Sequence, residues 1–127
     1  MYETITPNLM VESVKDTLTF YKEVLGFTVI TTVPGEEDDQ FAIIAKDQIM
    51  LMLQNRASMI AEYETLAQDK IQPMLTLYIC VDQLQALYDE LKEKVTFAKE
   101  LHQTPYGKWE FAIFDNNGKI LTLAAKD

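Results

Sequence analysis

The residues able to do chemistry are few. One histidine, His102, and one cysteine, Cys80, are the chain's whole supply of imidazole and thiol. They fall in different predicted elements, so a Cys–His nucleophile is not supported, and no Ser–His–acid arrangement can be drawn. His102 lies in a predicted loop over 102–107. A lone histidine there is expected to face solvent, because a metal site needs several converging donors. Cys80 sits in an apolar run and reads as a small core residue. Gly107 and Gly118 open no helix, so there is no phosphate-cradling loop. Glu110 stands out because it interrupts the apolar run from Trp109 to Phe114. Alternation between Trp109 and Phe111 turns it to solvent or into a local salt bridge. The acidic run Glu36 to Asp39 reads as a solvated loop, with a cation-attracting lip as the sharper version.

Charge narrows the partners. The chain carries 20 acidic and 11 basic side chains, a net charge of −9. That disfavours nucleic acid, whose phosphates need clustered Lys and Arg. It is compatible with a cationic ligand, although acidic surfaces also serve solubility alone. No apolar run reaches the roughly 20 residues that span a bilayer, and the N-terminus lacks the pattern of a signal peptide. With one cysteine there is no intrachain disulfide. The expected setting is the cytoplasm, with no membrane partner.

These residues must be positioned by a recurring set of elements. A strand containing Ile5, Leu9 and Val11 is predicted, with Pro7 marking an edge. Ser13-Val14-Lys15-Asp16 reads as a capping-box start for a helix bearing Val14, Leu18, Tyr21 and Leu25, closed by Gly26. Strands follow over 27–33, 41–44 and 49–53. A connecting helix is predicted within 55–70, with Ile60, Tyr63 and Leu66. Then the order restarts. A strand over 75–81 leads to a helix with Leu84, Leu87, Tyr88 and Leu91. Strands over 95–101, 109–114 and 120–123 close the chain, the last two joined by the turn Asp115-Asn116-Asn117-Gly118.

Sliding the chain on itself by 70 residues tests the repeat. Phe41-Ala42-Ile43 falls on Phe111-Ala112-Ile113, Leu51 and Leu53 on Leu121 and Leu123, Thr6 and Val11 on Thr76 and Val81, Lys22-Glu23 on Lys92-Glu93, and Phe27 on Phe97. Self-similarity at one offset marks a repeated supersecondary unit. The expectation is a single domain, 1–127, of half-repeats about 1–57 and 71–127 with a helical linker between them. Equivalent places for Phe41 and Phe111 are part of that expectation.

Two segments carry a resemblance. Pro7-Asn8-Leu9-Met10-Val11-Glu12-Ser13-Val14, followed by Phe20-Tyr21-Lys22-Glu23-Val24-Leu25-Gly26-Phe27, is similar to the opening of glyoxalase/bleomycin-resistance/dioxygenase (vicinal oxygen chelate) domains. Thr104-Pro105-Tyr106-Gly107, Glu110-Phe111 and Asp115-Asn116-Asn117-Gly118 resemble their closing hairpin. The resemblance covers essentially the whole chain. It implies an α+β fold of two tandem βαβββ modules, a mixed sheet curled around a central cup with helices outside. Metalloenzymes of the family place ligands at the positions that are Thr6, Met52, Thr76 and Thr122 here. Those members carry His, Gln or Glu; this chain carries three threonines and a methionine. Neutral hydroxyls and a thioether suit neither zinc nor harder divalent ions. The expectation is therefore no metal and no cofactor.

If Thr6 points into the implied cup, alternation sends Asn8 and Met10 the same way, with Met50, Met52 and Gln54, and Thr76, Tyr78 and Cys80 with Thr122 and Ala124. Leu9, Val11, Leu51, Leu53, Leu77, Ile79, Leu121 and Leu123 would face the helices. Drug-binding relatives clamp planar ligands with aromatics near Tyr106 and Trp109. The candidate ligand-binding residues are Asn8, Met50, Met52, Tyr78, Trp109 and Glu110. They suit a small organic molecule, best a planar and weakly cationic one, though the same residues could pack an interior or a dimer seam. The leading expectation is metal-independent binding similar to the bleomycin-resistance branch, by a homodimer, without catalysis. The alternatives are a metal-dependent lyase, isomerase or dioxygenase of the glyoxalase type, and a non-catalytic interaction domain.

Overall fold

Pro7 has no amide hydrogen to give a ladder, and the first strand begins only after it. In the computed structural model, which describes residues 1–71 and 75–126, β1 spans Asn8–Val11 rather than starting near Ile5. Ile5 is 94% exposed. Ser13 then caps α1 (Val14–Glu23), its hydroxyl accepting from the Asp16 amide at 3.1 Å. The carboxylate of Asp38 accepts from the amides of Val14 and Lys15, at 2.8 and 3.0 Å. Three otherwise unpaired donors of the first turn are thereby satisfied. Asp38 also accepts from Asn55 Nδ2 at 2.9 Å. The run read as a solvated loop thus holds a structural clasp. Gly26 turns the chain out of α1 at φ +77°, which favours glycine there.

Three strands complete the first sheet: β2 (Thr28–Val33), β3 (Phe41–Lys46) and β4 (Ile49–Asn55). The order is β1-β4-β3-β2, with β1 parallel to β4 and the other pairs antiparallel. Alternation gives the sheet two unlike faces. Leu9, Val11, Ala42, Ile44, Leu51 and Leu53 are buried with Val14, Thr17 and Tyr21 of α1. The Tyr21 ring meets Phe27 edge to face at 5.4 Å.

The predicted helix over 55–70 is shorter. α2 spans Arg56–Glu62 and is followed by a 3₁₀ turn at Glu64–Leu66. Met59 is the one buried residue of α2, while Tyr63 and Leu66 are exposed. With little apolar surface buried beyond Met59, nothing offsets the cost of continuing the helix. The chain divides into two compact units, 1–71 and 72–127, so α2 belongs with the first.

The second unit repeats the plan with β5 (Thr76–Val81), α3 (Leu84–Leu91), β6 (Thr96–Gln103), β7 (Trp109–Phe114) and β8 (Ile120–Ala125). Its order is β5-β8-β7-β6, again with the first and last strands parallel. Leu84, Leu91, Phe111, Ile113, Leu121 and Leu123 are buried on the side of α3. Tyr88, Phe97 and Phe111 form a ring cluster with centroids 5.3 to 5.9 Å apart.

The two modules are therefore tandem copies of one α+β architecture, but one sequence match is not a structural equivalence. Asn8 pairs with Met52 and Tyr78 with Thr122, the same register at an offset of 70. In the hairpins the registers differ. Phe41 pairs with Gln54, whereas Phe111 pairs with Leu123 and Glu110 with Ala124. The second hairpin holds one more residue. Phe41 and Ile43 thus lie on the face away from α1, and Phe111 and Ile113 on the face toward α3. The match Phe41-Ala42-Ile43 to Phe111-Ala112-Ile113 is on equivalent strands but opposite faces.

β6 continues past Leu101 to Gln103, so His102 stands in a strand and not in the predicted loop. Irregularities between Phe97, Lys99 and His102 shift its pairing so that His102 stands opposite Glu110. The loop contracts to a tight turn. Thr104 N–H donates to the Lys108 carbonyl at 2.8 Å, Gly107 N–H to the Thr104 carbonyl at 2.9 Å, and Gly107 adopts φ +88°.

Candidate functional site

On the face of the first sheet away from α1, alternation brings together Asn8, Met50 and Met52, with Phe41 and Ile43. Met50 is exposed and Met52 half-buried. Asn8 Nδ2 donates to Gln54 Oε1 at 2.9 Å, and Gln54 Nε2 donates to Ser58 Oγ at 3.0 Å and toward Glu62 Oε1 at 3.4 Å. Gln54 is thus held from both ends of its amide, with α2 supplying two of the partners. The surface offers thioethers, an aromatic ring and an amide, but no base or nucleophile.

The chemistry is concentrated on the second sheet, on the face away from α3. Cys80, Ala124, Glu110 and His102 form one row across its four strands. Tyr78 and Thr122 lead the next row. Thr76 and Thr122 share a hydroxyl–hydroxyl hydrogen bond of 2.8 Å. Tyr78 is 52% exposed. Desolvation, then the negative charge of Glu110, with smaller effects of Tyr106, Cys80 and a hydrogen bond to the Glu110 carboxylate, raises its phenol above the ordinary value of 10.0.

Glu110 is neither solvent-facing nor conventionally paired. Its side chain is 14% exposed, and Oε2 is buried with no hydrogen-bond partner. Oε1 lies 4.0 Å from Nε2 of His102, beyond hydrogen-bond reach. His102 is itself oriented, because its Nδ1 stands 2.7 Å from the Glu100 carbonyl oxygen. Glu100 is held in turn by the Tyr88 hydroxyl at 2.9 Å. Sequence reasoning missed His102 because the bulges that carry β6 past Leu101 leave no periodic signal. The interruption of an apolar strand by Glu110 was visible.

The remaining candidate, Trp109, is placed differently. It precedes Glu110 on β7, so alternation puts it on the face of Phe111 and Ile113, away from Tyr78 and Glu110. It is 48% exposed at the end of that strand.

The four positions that the resemblance assigns to metal ligands do not fit a metal. Thr76 and Thr122 bond each other, Thr6 precedes β1, and Met52 offers a thioether. None carries a charge or an imidazole. Among the described residues, no three His, Cys, Asp or Glu side chains come together to hold an ion. His102 and Glu110 supply two donors, short of the three or four that a zinc site uses.

Comparison with known proteins gives a consistent picture of the fold. A family model described as Glyoxalase/Bleomycin resistance protein/Dioxygenase superfamily matches residues 4–122. Among solved structures, a glyoxalase/bleomycin resistance protein/dioxygenase from Nocardioides is similar with a TM-score of 0.78 at 19% identity, covering 98% of this chain and 84% of that one. A lactoylglutathione lyase from Agrobacterium tumefaciens gives 0.75 at 16% identity, covering 99% and 96%. TioX from Micromonospora sp. ML1 gives 0.74 at 11% identity, covering 98% of each chain. No curated protein matches the chain by sequence.

Proposed function

The chain belongs to the Glyoxalase/Bleomycin resistance protein/Dioxygenase superfamily, and from that premise we propose that it binds a small organic cation, without a metal, on the face of its second sheet away from α3. One observation carries this reading: Glu110 Oε2 is buried and accepts no hydrogen bond. Leaving an acceptor so costs about 1–3 kcal/mol, more for a charged one. A bound cation removes that cost. At an effective dielectric near 20, a unit charge about 4 Å from a carboxylate gains about 4 kcal/mol, less what both ions lose in hydration. The ring of Tyr78, near Glu110, adds cation–π attraction. The net charge of −9 favours approach of cations over anions, an effect that salt weakens.

The enzyme alternative requires charged or imidazole donors at the family's ligand positions, and Thr6, Met52, Thr76 and Thr122 supply none. The reading is therefore sequestration rather than conversion.

Titration calorimetry with benzylammonium, benzyl alcohol and benzoate tests it. Only the cation is expected to bind, more weakly at high salt, with an affinity loss of at least about tenfold, or about 1.4 kcal/mol, in Glu110→Gln. Equal binding of the alcohol, or undiminished cation binding by Glu110→Gln, overturns the proposal.

A further inference from the structure

His102 and Glu110 present two acceptors to one gap. The Glu100 carbonyl can only accept, so His102 Nδ1, 2.7 Å from it, must carry the hydrogen. In the neutral imidazole, Nε2 then shows a lone pair. That lone pair lies 4.0 Å from Glu110 Oε1, a distance that no direct hydrogen bond spans. A bare ring nitrogen needs a donor, a carboxylate oxygen has room for more than one, and neither can serve the other. Both side chains are partly exposed, 26% for His102 and 14% for Glu110.

We propose that this gap selects the head group of the ligand: an organic cation with two N–H bonds on one nitrogen, a primary ammonium or the NH₂ end of an amidinium or guanidinium, in preference to a quaternary ammonium. The inference rests on the reading of Glu110 as counter-ion and adds His102 as the second acceptor. The geometry is suitable. A nitrogen about 2.9 Å from each acceptor sees them at roughly 90°, close enough to the angle between two N–H bonds of an ammonium. A quaternary nitrogen has no hydrogen to give, and its methyl groups hold the charge away from Oε1. It would leave Nε2 without a donor and give Glu110 no hydrogen bond, the situation in which a site built for donors rejects an analogue lacking them. Glu110 supplies attraction for any cation, and His102 supplies discrimination among them.

Benzylammonium and benzyltrimethylammonium share an aromatic body and a charge, and differ in N–H donors. Their affinities are measured at pH 8 for the wild type, Glu110→Gln, His102→Phe and His102→Gln. Circular dichroism checks that each variant is folded. The wild type is expected to prefer the primary ammonium by at least about tenfold. His102→Phe should reduce that preference to about twofold or less while still binding both cations, and His102→Gln, which keeps an acceptor, should restore part of it. Equal binding of the two cations by the wild type, with both lost in Glu110→Gln, overturns the role of the gap and leaves the counter-ion reading standing. A preference that survives in both His102 variants also overturns it. Binding of neither cation by the wild type overturns both.

Discussion

Glu110 and Phe41 hold the same place in their two sheets. Phe41 pairs with Gln54 on β4, Glu110 pairs with Ala124 on β8, and Gln54 and Ala124 are equivalent in the registers with β1 and β5. Where the first module puts a ring, the second puts a carboxylate with an unpartnered buried oxygen.

The first prediction follows from that exchange. Glu110→Phe, which installs the first module's residue in the second, should raise unfolding free energy by about 1–2 kcal/mol by removing an unsatisfied buried acceptor, while abolishing cation binding. Urea denaturation reads the stability. A variant less stable than the wild type would show that Glu110 carries no such cost.

Asp38 should behave as a structural acid. Burial alone would raise its pKa, but hydrogen bonds from the Lys15 amide, Asn55 and the amides of Val14 and Asp39 outweigh this and hold it below the ordinary 3.8. Asp38→Ala is expected to cost about 1–2 kcal/mol, as loss of a helix cap does. A depressed carboxyl stabilises above its unfolded pKa, and the contribution disappears as pH falls through the folded value. The difference in urea midpoint between wild type and variant should therefore be constant from pH 5 to 8 and shrink below pH 4. Solvent screening keeps the pH-dependent part small. A gap that persists unchanged at the lowest pH would refute the assignment.

Trp109 lies on the opposite face from Tyr78 and Glu110, so it should not touch the ligand. Trp109→Phe is expected to change benzylammonium affinity by less than about twofold, within the range of distant surface changes. Acrylamide quenching of Trp109 should be unaltered by saturating ligand. Protection of the indole would place it in the site.

Assembly is checked independently. The edge strand β2 exposes Ile30 and Val33, and exposed apolar edges call for cover. A homodimer is expected by light scattering at micromolar concentration, and a monomer would overturn that expectation.

Much of this fold was legible in the sequence because its signals are local. Ser13 before an apolar-periodic run, Gly26 at a helix end and Asp115-Asn116-Asn117-Gly118 between two strands each fix a boundary through their own chemistry. The facing of Leu51 and Leu53 follows from strict alternation. What escaped depends on register, which no short window contains. The bulges in β6 bring His102 opposite Glu110, and the extra residue in the second hairpin reverses the faces of Phe111 and Ile113 relative to Phe41 and Ile43. Alternation from Thr76 points to Tyr78. Its neighbourhood with Glu110 required the pairing of β5 with β8 and β8 with β7. For Phe41-Ala42-Ile43 and Phe111-Ala112-Ile113, identity at a fixed offset marks equivalent strands but opposite faces.

The hairpin turns also say something about how repeated modules acquire separate chemistries. Met50 and Ile120 are equivalent, yet four residues separate Met50 from its partner Ala45 and five separate Ile120 from its partner Phe114. A length change of one residue between two strands inverts every side chain of one relative to the other. Loop-length variation is tolerated far better than a burst of core substitutions. A duplicated gene can therefore give its two halves different ligand surfaces in a single insertion or deletion, with point mutation left to refine what the inversion exposes.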